Sequence, residues 1–180
     1  MNTEEHFIQQ LKDPASKDVA YKELLNTYKE RLYWHIRHIV KTHDNANDVL
    51  PNTFIKVYKN MDHFKGNSKL FSWMYRIATN ESLTYIKKNT KHLLINSEET
   101  QAFLINNLQA DVYFEGDDIQ LKLQQAICTL PEKQQLVFNM RYFQNIKYKD
   151  LSEILDTSEG ALKASYHIAV KKIEAYLTPH

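Results

Sequence analysis

Apolar residues recur three or four positions apart along most of this chain, and this spacing predicts amphipathic helices. Only three glycines and four prolines occur in 180 residues, so few positions would interrupt helical structure. The predicted helices cover residues 4–12, 18–42, 47–61, 70–89, 119–130, 134–142, 148–155 and 159–177. Pro51 falls inside one of them, so we expect that helix either to begin near Asn47 or to kink at the proline. The sequence therefore predicts an all-α protein.

The charged residues divide the chain into three parts, although its net charge is only +1. Residues 1–90 carry a net charge of +4, residues 91–118 carry −5 and residues 119–180 carry +2. The acidic part also loses helical periodicity, apart from one short helix expected around residues 101–108. We expect two small helical domains, residues 1–90 and 119–180, joined by a flexible acidic linker at residues 91–118. The linker is either a solvated tether or a segment that occupies a basic channel built for nucleic acid.

Several kinds of functional site are not expected in this sequence. Cys128 is the single cysteine, which excludes an internal disulfide and a zinc cluster of thiolates. His35 and His38 could face one metal ion from a helix, but no pair of carboxylates stands near them, and we interpret both as helical surface. Because no nucleophile–base set and no glycine-rich phosphate loop is present, we expect no catalytic residue, no metal and no cofactor. Without a signal pattern or a long apolar run, we expect a cytoplasmic protein that is not embedded in a membrane.

The segment Phe64–Asn80 combines aromatic rings, cations and an amide within about five helical turns. It begins with a small basic loop, Lys65–Lys69, and continues into a helix. The helical spacing assigns one set of side chains to a buried face: Phe71, Met74, Ile77 and Ala78. A second set falls on other faces: Trp73, Tyr75, Arg76 and Asn80. Rings that stack on bases and cations that hold phosphates are typical of proteins that bind single-stranded nucleic acid. The alternative is an ordinary buried helix whose aromatic residues belong to the core.

The last part of the chain has the pattern of a helix-turn-helix. Residues 148–155 predict a short helix, residues 156–158 a turn, and residues 159–177 a longer helix that Ser158 can cap. Small residues early in the second helix would let its backbone approach DNA: Gly160, Ala161 and Ala164. The polar residues left to reach bases or phosphates are Lys163, Ser165 and His167, and Lys171 and Lys172 extend the basic face. The alternative is an ordinary helical hairpin.

Four segments, taken in order, resemble bacterial RNA polymerase sigma factors of the small, extracytoplasmic-function group of the sigma-70 type. They are DVLPNTFIKVYKNM, FKGNSKLFSWMYRIATN, LPEKQQLVFNMRYF and YKDLSEILDTSEGALKASYHIAVKKI. The resemblance implies a sigma region 2 helical bundle at residues about 20–90. It also implies a sigma region 4 at residues about 122–176, with its helix-turn-helix at about 150–169. The implied function is that of an alternative sigma factor, which binds core RNA polymerase and directs promoter-specific transcription initiation without being an enzyme itself.

The resemblance also implies roles for three sets of residues. One set would dock on the clamp helices of the largest polymerase subunit: Asp48, Val49, Leu50, Asn52, Thr53, Phe54 and Val57. A second set would bind the −10 promoter element and accompany strand opening: Lys65, Gly66, Asn67, Ser68, Lys69, Trp73, Arg76 and Asn80. A third set would read the −35 element in the major groove: Ser158, Glu159, Gly160, Ala161, Lys163, Ala164, Ser165, His167 and Lys171.

The implied partners are core RNA polymerase (its clamp helices and its flap), promoter DNA and a separate anti-sigma factor, with no small-molecule substrate. The family usually has a glutamine where this chain has Pro51, in the middle of the docking helix. Many relatives have basic residues where this chain has Ser165, Ile168 and Val170, which predicts fewer phosphate contacts and a shallower salt dependence of DNA binding. The alternative function is that of a helix-turn-helix DNA-binding regulator that does not engage core polymerase.

Overall fold

The computed structural model describes residues 3–90, 102, 105–106 and 117–178. Within these ranges the chain forms helices and no strands, which confirms the predicted all-α fold. The longer helices are α1 (Thr3–Lys12), α2 (Lys17–Val40), α3 (His43–Asn60), α4 (Leu70–Asn89), α5 (Asp118–Cys128), α6 (Glu132–Tyr142), α7 (Tyr148–Leu155) and α8 (Glu159–Leu177), and a 3₁₀ turn covers Met61–His63. Residues 102, 105 and 106 are helical. The rest of the helix expected at 101–108 lies outside the described residues, as does most of the predicted linker.

Helices α2, α3 and α4 pack against one another around one buried core, and α1 lies against α2. Leu24, Leu32 and Ile36 of α2 lie four or eight residues apart, so they share one face, and all three are fully buried. Val57 of α3 and Met74 of α4 join the same core. Packing on three sides therefore fixes α4, and it holds the loop before α4 at the surface of the bundle.

Helix α3 begins at His43, earlier than the start near Asn47 that the sequence suggested. The cause is a cap, because the Thr42 hydroxyl accepts a hydrogen bond from the backbone N–H of Asn45 at 3.1 Å. Pro51 consequently lies in the helix interior, and the expectation of a late start was wrong. Asn47 and Pro51 are both exposed, so water can bind the Asn47 carbonyl that the missing N–H of Pro51 leaves without a donor.

Helices α5, α6 and α8 share a second, smaller core formed by Ala126, Ile127, Leu130, Phe138, Ala169 and Ile173. The Phe138 ring stacks on two others, with centroids 5.1 Å from Tyr142 and 5.8 Å from Tyr166. The side chain of Asp117 caps α5, which begins at Asp118. The C-terminal helices therefore start inside the segment that the sequence assigned to the linker.

The N-terminal helices α1–α4 and the C-terminal helices α5–α8 also pack against each other. Helix α7 lies against α4, and α6 lies against α2. Apolar side chains of the C-terminal helices extend the N-terminal core: Leu136, Val137, Met140, Ile146, Leu151, Ile154 and Leu162. We call this packing the closed arrangement. None of the helices in the described ranges has the length and apolar character needed to cross a membrane.

Candidate nucleic-acid interface

The loop Lys65–Lys69 projects from the N-terminal helices, and the buried Phe64 anchors its start. The Phe64 ring centroid lies 4.9 Å from that of Trp73. Gly66 has a φ of 73°, in the left-handed region that glycine adopts at the lowest steric cost, and it turns the chain within the loop. The loop side chains are exposed or partly exposed: Lys65, Asn67, Ser68 and Lys69. The structure therefore brings the predicted −10 loop residues together on an accessible surface.

Helix α4 presents Arg76 and Asn80 to solvent, one turn apart, and leaves Trp73 half-buried. Tyr75 was assigned by the sequence to an outer face, but it is only 2% exposed, so that assignment was wrong. The Tyr75 ring lies one helical turn from Phe71, with centroids 4.3 Å apart, and therefore extends the buried stripe of the helix.

Helix α7 contacts two of the predicted −10 residues directly. The Lys69 ammonium lies 2.7 Å from a carboxylate oxygen of Asp150, and this hydrogen bond raises the pKa of Lys69. The Arg76 guanidinium donates to the backbone carbonyl of Glu153. We call these two interactions the α4–α7 contact.

A second acidic group lies at the same end of α4. The Glu4 carboxylate of α1 accepts from the Leu70 N–H at 2.9 Å, at the positive end of the helix dipole. Hydrogen-bond donors of three neighbouring residues are therefore paired within the protein. Lys69 and the Leu70 N–H donate to carboxylates, and Arg76 donates to a backbone carbonyl.

Helix α8 begins at a cap, where the Ser158 hydroxyl accepts from the Ala161 N–H at 3.3 Å. The residues predicted to read the −35 element are exposed, with Ser165 partly so: Ser158, Glu159, Gly160, Ala161, Lys163, Ala164, Ser165, His167 and Lys171. A Cβ placed on Gly160 would meet open space, so internal packing does not require a small residue there. The Lys163 ammonium lies 5.7 Å from the Tyr148 ring centroid, which holds it against α7. All nine residues lie on an accessible face, as DNA contact would require.

A cavity of about 590 Å³ lies between α4 and the C-terminal helices. Arg76 and Asn80 line it from the predicted −10 surface, and Ala161 and Ser165 line it from the predicted −35 surface. In the closed arrangement, the two candidate DNA-binding surfaces therefore face each other at close range.

The residues predicted to dock on polymerase lie on α3 and differ in burial. Five of them belong to the core: Val49, Leu50, Thr53, Phe54 and Val57. Asp48 and Asn52 are exposed, and the Asn52 amide donates to the Asp48 carbonyl at 3.1 Å. Ile55, which the sequence analysis did not select, is an apolar side chain with 50% of its surface exposed. Asp48, Asn52 and Ile55 form what we call the outer α3 face, which is open to a partner, whereas the five buried residues can act only by setting the position of the helix.

Comparison with known families gives two matches in the predicted order. Residues 24–92 match Sigma-70 region 2, and residues 120–173 match Sigma-70, region 4. The two matches together cover about two thirds of the chain. The chain belongs to the sigma-70 family, and its similarity to ECF sigma factors of Bacillus subtilis and Haemophilus influenzae assigns it to the extracytoplasmic-function group. It is an alternative sigma factor that directs transcription, and the region 2 match argues against a regulator built on the helix-turn-helix alone.

Sequence relatives of this sigma factor are similar over most of its length. It is 27% identical to the ECF RNA polymerase sigma factor SigW of Bacillus subtilis, over 82% of this chain and 83% of the relative. It is 24% identical to the RNA polymerase sigma-H factor of Pseudomonas aeruginosa, over 89% of this chain and 87% of the relative. It is 25% identical to the ECF RNA polymerase sigma-E factor of Haemophilus influenzae, over 89% of this chain and 88% of the relative.

Two solved structures have the same fold. CnrH in complex with the cytosolic domain of CnrY has a TM-score of 0.69 at 15% identity, over 97% of this chain and 96% of that one. The sigma factor RpoE in complex with the anti-sigma factor NepR, from Bartonella quintana, has a TM-score of 0.65 at 18% identity, over 87% of this chain and 96% of that one. At these identities the comparison establishes the fold alone.

This sigma factor also has a buried polar cluster around His35, which is 1% exposed. The Thr79 hydroxyl donates to the Tyr75 carbonyl at 2.8 Å, so it accepts from the His35 Nε2–H, also at 2.8 Å. The Gln144 amide donates to His35 Nδ1 at 3.2 Å. The interpretation of His35 as helical surface was therefore wrong, because its ring lies between α2, α4 and the segment after α6.

The buried environment keeps these histidines neutral. Burial, and next the charge of His38, lower the pKa of His35 to about 3. Burial also lowers the pKa of His38 to about 4, and the charge of Lys41 adds to the effect. Among the described residues, no cluster of three or more potential metal ligands occurs.

Sequence reasoning missed two groups that contact the candidate site, Glu4 and Asp150, and a third, Gln144, that contacts His35. Each meets a partner far away in the chain, since Glu4 and Leu70 are 66 residues apart and Lys69 and Asp150 are 81 apart. Helical periodicity reports neighbours within one helix and carries no signal for such pairs.

Proposed function

We propose that this sigma factor docks on core RNA polymerase through the outer α3 face and binds the −10 element through the loop Lys65–Lys69 and α4. We assign the −35 element to the first half of α8. The observation that supports this assignment best is exposure: within the matched region 2 and region 4 segments, the cationic and polar side chains of both sets face solvent or the cavity.

Promoter opening needs no chemistry from this chain. Extruding a base from duplex DNA costs a few kcal/mol through lost stacking and pairing. Stacking on an aromatic ring returns roughly 1–3 kcal/mol per base, and Trp73 packs on Phe64, the residue that directly precedes the loop Lys65–Lys69. Cations at Lys65, Lys69 and Arg76 would hold the phosphates of the separated strand. We assign nucleotide joining to the polymerase and no catalytic step to this chain.

We also propose that a separate anti-sigma factor restrains this protein in the cytoplasm. The support is the structural likeness to RpoE, which was solved with the anti-sigma factor NepR. The closed arrangement offers such a partner surfaces from both regions at once.

The docking proposal is tested by co-elution with purified core polymerase on a size-exclusion column. Asn52→Lys adds a bulky cation to the outer α3 face and should weaken co-elution at least tenfold. Asn26→Lys makes the same change at an exposed position of α2 and should leave co-elution unchanged. If both variants bind core as the wild type does, the docking surface lies elsewhere.

The promoter proposal is tested by in vitro transcription of sheared genomic DNA with core polymerase, followed by mapping of the transcript 5′ ends. We expect new 5′ ends that share two upstream motifs at a constant spacing. If this protein adds no 5′ ends to those made by core polymerase alone, the assignment of promoter recognition is wrong.

A further inference from the structure

We propose that helix α1 holds the loop Lys65–Lys69 at both of its ends, with Glu4 and Lys12 as positioning residues for recognition of the −10 element. The proposal rests on the function assigned above to this loop. Helix α1 covers Thr3–Lys12 and lies outside residues 24–92, which match Sigma-70 region 2. The family match therefore assigns no role to α1, but the contacts of the helix do.

Two hydrogen bonds connect α1 to the residues on either side of the loop. The Lys12 ammonium donates to the backbone carbonyl of Phe64, the residue before the loop. The Glu4 carboxylate accepts from the backbone N–H of Leu70, the residue after the loop, at 2.9 Å. Glu4 and Lys12 lie near opposite ends of α1, about 12 Å apart at 1.5 Å per residue. We call these two hydrogen bonds the α1 contacts, and through them one helix fixes both ends of the loop.

The hydrogen bond from Leu70 to Glu4 replaces a cap that α4 lacks. Lys69 is the N-cap residue of α4 and makes no side-chain cap hydrogen bond, and the first turn of the helix contains no acidic residue. The first N–H groups of a helix have no partner within the helix, and they favour a negative charge nearby. Because this carboxylate comes from α1, the start of α4 depends on another helix, and so does the end of the loop.

Helix α1 is itself fixed in the N-terminal core. Leu11 is fully buried, and Phe7 and Ile8 pack against the same core. The helix also lies against the 3₁₀ turn Met61–His63, which leads directly into Phe64. A helix anchored in this way can set the position of the loop.

The loop has little packing of its own to fix its position. Lys65, Asn67 and Lys69 are exposed, and a Cβ placed on Gly66 would meet open space. The φ of 73° at Gly66 lies in a region that glycine enters freely, so the glycine permits the turn without enforcing it. The position of the loop therefore depends on its two ends. A loop that is held in place before DNA binds loses less conformational entropy on binding, which raises its affinity.

The sign of the Glu4 effect separates positioning from simple electrostatics. A carboxylate beside a loop that binds phosphate repels DNA, so on charge alone Glu4→Ala should tighten DNA binding. Positioning predicts the reverse, because loss of the hydrogen bond to Leu70 frees the end of the loop. Glu4→Gln removes the charge and keeps an oxygen that can accept from Leu70, so it should not weaken binding.

Hydrogen exchange followed by mass spectrometry measures the α1 contacts in the full chain without DNA. Glu4→Ala and Lys12→Met should each speed exchange of the backbone amides of residues 64–72 roughly threefold to tenfold, the effect of one lost hydrogen bond. Glu5→Ala and Lys22→Met make the same changes at exposed positions and should leave this exchange unchanged. Glu4→Gln and Lys12→Arg keep an acceptor and a donor, so they should retain the wild-type rate. None of these variants changes a residue of the α4–α7 contact.

DNA binding is measured on the complex of this protein with core polymerase. The probe is a fluorescein-labelled single strand that carries the downstream motif found by 5′-end mapping, compared with a scrambled strand of the same composition. Glu4→Ala and Lys12→Met should weaken binding of the motif strand and lower the ratio of the two affinities roughly threefold to tenfold. Glu5→Ala and Lys22→Met should keep the wild-type ratio, and so should Glu4→Gln and Lys12→Arg. Co-elution with core polymerase should be unchanged in all six variants, so a lower ratio cannot come from a lost complex.

The outcomes distinguish this proposal from the proposed function. Unchanged exchange in both Glu4→Ala and Lys12→Met would overturn the α1 contacts as the support of the loop, while leaving the transcription and co-elution results intact. Faster exchange with an unchanged affinity ratio, or tighter binding of the motif strand by Glu4→Ala, would overturn the positioning role. A wild-type complex that does not prefer the motif strand would show that the −10 assignment of the loop is wrong, and the positioning role would fail with it. Faster exchange together with a lower ratio supports both.

Discussion

Protonation of His35 should destabilise this sigma factor in mild acid, and the structure gives the size of the effect. The neutral ring is fully buried, donates from Nε2 to Thr79 and accepts at Nδ1 from Gln144. The titratable groups near it are His38 on the same helix and Tyr75, whose ring centroid lies 4.6 Å away on α4. A proton added at Nδ1 would face the Gln144 amide donor and would leave a charge without water.

The sign follows from the two pKa values. The pKa of His35 is about 3 in the folded protein, against 6.5 for the unperturbed ring. Because the folded value is depressed, the neutral ring contributes stability that is present above pH 6.5 and is lost as the pH falls toward 3. Between pH 7 and pH 5 the unfolded chain gains most of a proton that the folded chain does not, so the free energy of unfolding should fall by about 2 kcal/mol from His35 alone.

Urea denaturation followed by circular dichroism at pH 7 and pH 5 measures this loss. His35→Gln removes the titrating ring, so its stability should fall by about 2 kcal/mol less than that of the wild type over the same interval. His6→Gln, at an exposed position of α1, is the matched control and should retain the wild-type dependence. If His35→Gln loses as much stability in acid as the wild type does, then burial of His35 is not a source of acid sensitivity.

Three further predictions concern promoter binding and the docking helix. Trp73→Ala should reduce promoter opening, measured by permanganate footprinting, more than it reduces formation of the closed complex. An equal loss of both would show that Trp73 is purely structural. Lys163→Ala should weaken binding to the upstream promoter element about tenfold while leaving co-elution with core polymerase intact, and an unchanged promoter footprint would remove Lys163 from the reading face. Pro51→Gln should raise the free energy of unfolding by about 1–2 kcal/mol, because it restores a helical N–H, and a thermal melt with no gain would show that α3 has already adapted to the proline.

The helix-turn-helix could be predicted from the sequence because every signal for it is local. Apolar residues one turn apart are enough to predict its first helix. The Ser158 cap and a continuous buried stripe are enough to predict its second. Both helices have the expected bounds, and Leu151, Ile154 and Leu162 are buried. The loop before α4 could also be predicted from the sequence, since a glycine among polar residues favours a turn.

The burial of His35 could not be predicted, because it depends on partners from other helices. A histidine one turn from another histidine looks like a surface pair until Thr79 and Gln144 are placed against it, and they lie 44 and 109 residues away. The same limit applies to the docking helix. Its sequence motif does not separate Val49 and Val57, which face the core, from Asn52 and Ile55, which face outward.

Helix α4 connects these observations, since its two faces serve two purposes. Tyr75 and Thr79 lie inside, and Arg76 and Asn80, each the next residue along, point outward. Successive residues are about 100° apart around a helix, so packing of the inner pair fixes the direction of the outer pair. The closed and promoter-bound forms can therefore keep the packing of α4 on α2 and α3, although opening would remove the apolar side chains of the C-terminal helices from that core. Opening would nevertheless take Gln144 away from His35, because that hydrogen bond crosses between the two regions. A buried acceptor left without its donor costs about 1–3 kcal/mol, so the His35 cluster favours the closed form together with the ion pair between Lys69 and Asp150.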